Sequence, residues 1–381
     1  MSSPGPADAL VIGGGVIGLA IAWRAAQRGL RVTVADPAPA AGATHAAAGM
    51  LTPVAEAAYA ERELFGLGRA SLDRYPAFTA ELTDLTGLPT GFAPTGTLQV
   101  AYDAGDLAML AEQHRLQESF GHAATKLTAR ECRAAEPMLN PVVRGGLLAA
   151  GDGSVDPRLL AAALLAAAEQ AGVRFVRQRA AEIMLSAGAG AATGAVLADG
   201  SAVRARWVVL AAGWQSGVLG GLPPGTAPPV RPVKGQILRL RHPGNLPRII
   251  GHTIRAIVGG RDIYLVPRAD GEVVVGATQE ERDDRDVTAG AVHDLLRDAM
   301  IAVPAISELT LAEASAGRRP GTSDNGPILG NLAGIKGLIV AAGHFRNGVL
   351  LSAATADAVA ALLAGDQPDP VWAPFQPSRF S

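Results

Sequence analysis

Residues 9–18, Ala9-Leu10-Val11-Ile12-Gly13-Gly14-Gly15-Val16-Ile17-Gly18, constrain this chain more than any other stretch. Ala9 to Ile12 is wholly apolar, the pattern of a strand in a parallel sheet covered on both faces, so helices are expected to pack on it. The glycines follow G-x-G-x-x-G. Val16 to Arg28 then runs Ala-rich and unbroken to Gly29, which sits where a left-handed C-terminal cap belongs. Arg31 to Ala35 reads as a second strand, ended at Asp36 and stopped by Pro37. Strand, glycine turn, helix, strand and an acid twenty-three residues past Gly13 form a βαβ unit with a dinucleotide fingerprint. Gly13 permits the tight turn, Gly15 lets a pyrophosphate approach the backbone, and Gly18 lets the helix pack closely on the strand. The first helical residues, Val16 and Ile17, belong to a turn whose N–H groups and dipole favour an anion. Asp36, with Pro37 beside it, would accept hydrogen bonds from ribose hydroxyls. The fingerprint does not separate FAD from NAD, because both carry the same adenosine diphosphate.

A chain of 381 residues exceeds the size at which one core keeps growing, so two domains are expected. The strand-and-helix grammar returns in the middle, with Asp156 as N-cap, Pro157 at the first helical position, a helix to Gln170 and a strand from Val173 to Val176. It recurs at Trp207 to Leu210, running into Gly213, and at Gly337 to Ala341, followed by a helix from about Gly348 to Leu363. Between these segments Thr95 to Tyr102 is strand-like, and Asp262 to Ala277 reads as a hairpin around Asp270-Gly271. The expected organisation is a nucleotide-binding domain from 1–85, 150–225 and 318–381, with a second domain from 86–149 and 226–317 inserted. Pro223 to Pro232 looks like a crossing point, and Ala187 to Ala195 reads as a loose loop.

Charge and cysteine content narrow the function. Lys+Arg number 33 against 35 Asp+Glu, with no basic block, so nucleic acid is not an expected partner. Leu159 to Ala168, the longest apolar run, is about half of a membrane span and reads as a buried helix, so no stable membrane insertion is expected. Cys132 is the single cysteine, which fits a reducing cytoplasm, and Met1 to Ala9 lacks the basic start of a secretory signal. No His cluster has metal-ligand spacing, and no metal is expected.

Several segments carry a resemblance. Ala43-Thr44-His45-Ala46-Ala47-Ala48-Gly49-Met50-Leu51, on its own only an Ala-rich loop, resembles the flavin-contact loop of the D-amino-acid oxidase superfamily. Gly343-His344-Phe345-Arg346-Asn347-Gly348-Val349-Leu350-Leu351, with Arg319-Pro320-Gly321-Thr322 upstream, is similar to the glycine oxidase branch associated with thiamine biosynthesis. Pro232 to Gly235, Tyr264 to Arg268, Val274 to Thr278 and Phe375 to Phe380 extend the likeness over nearly the whole chain. It implies an α/β fold with an α+β second domain: a Rossmann-like FAD-binding domain of glutathione-reductase type and an inserted antiparallel-sheet substrate domain. It also implies non-covalent FAD contacted by Ala43, Thr44, Ala48, Gly49 and Met50, by Ala181 and Gly213, and by Gly343 through Leu350. Two features support flavin independently. A helix from Gly348 would aim its positive end where reduction places negative charge, and there is no second G-x-G-x-x-G for a separate nicotinamide cofactor.

Thirty arginines against three lysines make any lone arginine weak evidence. Arg318 and Arg319 point to opposite faces if extended, so only one is expected in a pocket. Arg319 precedes Pro320 and matches the family arginine that binds the substrate carboxylate with two prongs, leaving Arg318 as a solvated surface residue. Arg346 matches a second family position, with a structural ion pair as its plain alternative. Tyr264 could reach the carboxylate and Met50 could line the flavin, or each could simply be packed. Asp262 and Gln279 depart from the residues the family often places around the pocket.

The resemblance implies oxidative deamination of glycine or other small amines, sarcosine and small D-amino acids among them. Hydride passes to flavin N5, and the products are an imine or 2-oxo acid, ammonia and hydrogen peroxide. No catalytic side chain is required beyond those that orient the substrate. Expected partners are the amine, molecular oxygen, thiazole synthase and further copies of the chain in a homo-oligomer. The alternatives are a relative acting on sarcosine, proline or larger D-amino acids, an NAD-dependent dehydrogenase, and a non-catalytic flavoprotein.

Overall fold

The computed structural model describes residues 7–122, 124–188, 190–242, 244 and 248–380. Residues 1–6, read above for a leader, and Ala189, within the expected loop, lie outside them. Two eight-stranded sheets organise the chain.

The first sheet places Ala7–Ile12 between Val32–Ala35 and Ala202–Leu210, all parallel. Arg174–Val176 lies outside the former, and Leu338–Ala342 and then antiparallel Ile328–Asn331 lie outside the latter. Side-chain alternation sends Ala9 and Val11 to one face and Leu10 and Ile12 to the other, and all four are buried. Helices Val16–Gln27, Pro157–Gln170 and Ser352–Ala364 cover the first face, with Trp23 fully buried among them. Asp156 caps the second of these helices, accepting from Arg158 N at 2.8 Å and Leu159 N at 3.2 Å, a contact worth about 1 kcal/mol.

The opposite face corrects the expectation of helices there. It is covered by antiparallel strands, Ala180–Leu185 and Ala192–Leu197, the latter paired to Ala202–Leu210. Half of the stretch read as a loose loop is thus a strand. Its small residues make the fit: a Cβ on Gly194, whose φ is +145°, would lie 2.0 Å from Val203 O. Close packing against Val203 and Ile183 outweighs the weak strand propensity of Ala and Gly.

The second sheet runs Thr310–Gly321, Arg231–Arg241, Val273–Gly276, Arg261–Pro267, Thr253–Val258, Thr97–Ala101, Gly145–Ala149, Thr125–Thr128. It is antiparallel except where Thr253–Val258 runs parallel to Thr97–Ala101. Helix Ala289–Ala302 packs on one face. The long pair Arg231–Arg241 and Thr310–Gly321 reaches back toward the first sheet, where Gly317 meets Ala46. The expected boundary at residue 318 therefore falls inside a continuous strand.

The helix expected from Gly348 begins at Ser352. Gly343 (φ +71°) and Phe345 (φ +47°) are left-handed, Phe345–Asn347 closes as a 3-10 turn, and residues 348–351 continue as turn before the regular helix begins. Among the described residues no helix is long and apolar enough to cross a membrane.

Candidate active site

A cavity of about 600 Å³ lies between the sheets, within the range of roughly 300–1,000 Å³ typical of ligand sites. The first sheet and its loops contribute Gly13, Gly15, Val16, Ile17, Asp36, Pro37, Ala181 and Gly213 to its wall. The loop after Gly42 adds Ala43, Thr44, Ala48, Gly49 and Met50, and the C-terminal turn adds His344, Phe345, Arg346, Gly348 and Val349. Tyr264 and Arg319 come from the second sheet.

Four expected contacts stand back from the cavity. Gly18 packs on the turn itself, where a Cβ would lie 1.9 Å from Gly13 O. A Cβ on Gly343 would meet Thr322 Cγ2 at 2.6 Å. Asn347 is buried with its carbonyl accepting from Leu351 N, and Leu350 is in the core with its carbonyl accepting from Ser71 Oγ.

The glycine turn is braced for an approach from the front. Gly13 (φ +106°) backs so closely on Ala211 that a Cβ would lie 2.4 Å from the Ala211 oxygen. At Gly15 a Cβ would meet only Thr44 Oγ1, at 3.4 Å, so the space before the helix is open. Thr44 Oγ1 accepts from Val16 N at 3.0 Å and ties the loop to the helix N-terminus. Asp36 orders the same turn: its carboxylate accepts from Gly14 N at 2.7 Å and Ala38 N at 2.8 Å, with lone pairs left for a further donor. Arg268 holds the loop from behind, donating to Ala48 O at 2.6 Å and Val155 O at 3.1 Å.

In the second sheet, glycines make room for long side chains. A Cβ on Gly235 would lie 2.3 Å from both Arg319 Nη atoms, and one on Gly276 would lie 2.3 Å from the Tyr264 hydroxyl. Gly276 is the register partner of Tyr264, so the phenol lies over the bare backbone of the neighbouring strand. Arg319 Nη1 donates to the carbonyls of Thr278 (3.1 Å) and Lys234 (3.4 Å). Burial pushes the Tyr264 phenol above its ordinary value, against the opposing charge of Arg319, so near neutral pH it keeps its proton and can donate. Met50 packs with Ala48, Ile237 and Tyr264.

The other cations are placed differently. Arg346 Nη2 pairs with Glu61 Oε2 at 2.9 Å, the ion-pair alternative of the sequence reading, while still lining the cavity. His344 is buried, Nε2 lying 3.0 Å from Thr355 Oγ1, and burial drives its pKa down to about 3, so it is neutral. Arg318 corrects an expectation. It lines the cavity, its guanidinium 4.6 Å from the Trp214 ring centre and its Nη1 donating to Asp283 O. The strand does alternate, but the consecutive residues Gly317, Arg318, Arg319 and Pro320 near its end all line the cavity, so both faces meet it.

Sequence reasoning missed Gly235, Gly276, Glu56 and Arg255, all close to Tyr264 or Arg319. The two glycines sit in segments that carry the family likeness, but only the strand register shows what they make room for. Glu56 and Arg255 line the same cavity and belong to no motif.

Comparison with known proteins adds an independent line. The family described as "FAD dependent oxidoreductase", DAO, matches residues 8–362. Glycine oxidase of Geobacillus kaustophilus is 34% identical over 98% of this chain and 97% of its own length. The bifunctional protein ThiO/ThiG of Trichormus variabilis is 36% identical over 98% of this chain, which spans about half (55%) of that relative. The crystal structure of glycine oxidase from Geobacillus kaustophilus superposes with a TM-score of 0.89 at 33% identity, covering 99% of each chain. That of iminodiacetate oxidase from Chelativorans sp. BNC1 gives 0.86 at 27% identity, over 97% of this chain and 98% of that one.

Proposed function

The chain belongs to the DAO family of FAD-dependent oxidoreductases, and from that premise we propose that it oxidises glycine or another small amine bearing one carboxylate. The observation that carries this reading is the state of Arg319. Its hydrogen bonds go to neutral groups, the carbonyls of Thr278 and Lys234 and the Tyr264 hydroxyl, whereas the charge of Arg346 is met by Glu61. A carboxylate entering the cavity is therefore drawn to Arg319, where a guanidinium can offer two parallel donors and Tyr264 a third.

The residues present fit FAD. The open front of Gly15, the helix N-terminus at Val16 and Ile17, and Asp36 suit the adenosine diphosphate. The loop Ala43, Thr44, Ala48, Gly49 and Met50, with Ala181, Gly213 and the turn Gly343 to Leu350, would hold the remainder, those outside the cavity wall acting by shaping the turn. Bound FAD supplies a two-electron acceptor that oxygen can regenerate with release of hydrogen peroxide.

Everything else asked of the chain is placement. Arg319 and Tyr264 fix the carboxylate and thereby orient the neighbouring carbon, which loses hydrogen as the amine becomes an imine. The neutral Tyr264 hydroxyl donates without competing for the amine proton. Hydrolysis of the imine gives a 2-oxo acid and ammonia, and its transfer to a thiazole synthase is the route the resemblance implies. Sarcosine and small D-amino acids share the recognised groups and belong to the same proposed class.

Anaerobic mixing of the purified yellow protein with a panel of amines tests this. Glycine or sarcosine should bleach the flavin and air should restore it with peroxide. Absence of bleaching with every amine would sink the reading.

A further inference from the structure

Two side chains in the cavity wall have no part in the chemistry proposed so far. Arg255 is the cross-strand partner of Tyr264, so the two side chains stand on one face, their Cβ atoms about 5 Å apart. Arg255 Nη1 donates to Ala55 O at 3.0 Å and lies 3.4 Å from Glu56 Oε1.

The turn carrying Glu56 is held firmly. Its own backbone closes with Glu56 N donating to Thr52 O at 2.9 Å. From behind, the buried Asp152 carboxyl accepts from Val54 N at 3.2 Å and Ala55 N at 3.0 Å. Gln117 Nε2 donates to Val54 O at 3.0 Å and Gln99 Nε2 to Ala55 O at 3.2 Å. This many buried bonds fix the backbone that carries Glu56, and the contact with Arg255 sets where its carboxylate stands. Glu56 and Arg255 are 16% and 20% exposed, so their charges act on each other and on the cavity with little screening.

We propose that Glu56 is a specificity-determining residue: it neutralises Arg255 and so restricts the site to amines carrying a single carboxylate. The inference rests on the amine-oxidation reading, in which Arg319 takes the first carboxylate. Arg255, on the other side of Tyr264, would be a second carboxylate site for an aminodicarboxylate if it stood alone. With Glu56 beside it, a second carboxylate meets an equal negative charge in a wall only partly open to water. Glycine has no second group to be repelled. Asp262 also lines the cavity, but it is exposed, and among the described residues it makes no ion pair there.

The test compares the flavin-loaded protein with E56Q, E56Q/R255M and D262N. It measures kcat/KM for glycine, iminodiacetate and D-aspartate, and the binding of acetate against succinate by calorimetry. The wild type should favour glycine and acetate. E56Q should raise the dicarboxylate-to-monocarboxylate ratio at least tenfold in both measurements, and R255M in that background should abolish the gain. An unchanged ratio in E56Q, a gain that survives R255M, or a gain in D262N instead of E56Q would each overturn the proposal. If E56Q does not fold, R255Q alone decides. Glu56 left unpaired should lower the ratio, and an unchanged ratio overturns the assignment. The acetate and succinate isotherms read the charge filter even if no amine is oxidised, which separates failure of this inference from failure of the function proposed above.

Discussion

At the scale of single residues, the site is decided by what each charge already touches. Five arginines line the cavity, yet Arg346 and Arg255 each have a carboxylate within 4 Å, Arg318 is stacked on Trp214, and Arg179 belongs to the first-sheet wall, just before strand Ala180–Leu185 and away from Tyr264. Among the described residues Arg319 bonds to neutral groups, the carbonyls of Thr278 and Lys234 and the Tyr264 hydroxyl, so on the second-sheet wall its charge is the one most available to a ligand. Replacing Arg319 by Ala should raise KM for glycine about a hundredfold, equivalent to about 3 kcal/mol, as expected for two charge-assisted hydrogen bonds. Replacement by Lys should recover little, because a point charge lacks the fork. Steady-state kinetics check both, and a KM for R319A within a few-fold of wild type would remove the carboxylate role. Gly235 offers a subtler test. A methyl group there meets the end of a flexible side chain, not backbone, so G235A should fold with a melting temperature within a few degrees of wild type while weakening glycine binding by displacing Arg319. Arg319 was legible in the sequence because a motif singled it out among thirty arginines. Arg255 and Glu56 were not, because nothing local marks residues that meet only across 199 positions of chain.

At the scale of elements, short polar turns position the chemistry that the sheets support. Asp152 is the sharpest case: burial raises its carboxyl to about 7 although two backbone amides favour the charged form. Its folded pKa is above its unfolded value, so between about pH 4 and 7 the native state binds more protons than the unfolded chain. This contribution to stability is therefore lost as pH rises through about 7. D152N has no such titration, so the stability gap between wild type and D152N should narrow from pH 5 to pH 8. Chemical denaturation at several pH values measures it, and a constant gap would show that Asp152 is ionised throughout. The sequence periodicity legibly marked elements whose residues are apolar on both faces, such as Ala9 to Ile12 within the strand Ala7–Ile12, and helices with a clear cap, such as Pro157–Gln170. It failed at Ala192–Leu197, where Ala and Gly carry almost no intrinsic preference and the neighbouring strands decide. It also placed the last helix four residues early, because the 3-10 turn Phe345–Asn347 and the turn after it come before the regular helix, and no local residue pattern marks that change.

At the scale of the whole molecule, the cavity lies between two sheets that have separate cores, so a cofactor bound there would help hold them together. Removing FAD should lower the melting temperature and adding it back should restore it, with about 2.7 kcal/mol of stabilisation at a hundredfold excess over Kd. A melting temperature independent of FAD would place the flavin elsewhere. By itself the sequence determined that the chain carries a dinucleotide-binding βαβ unit. Strand, glycine turn, helix and Asp36 lie within thirty residues, and local sterics and hydrogen bonding suffice to specify them. Only the tertiary structure decided the opposite wall of the cavity. There Gly235, Tyr264, Gly276, Arg255 and Arg319 come from five strands, and their meeting depends on strand order and register, which are set by long-range pairing and burial.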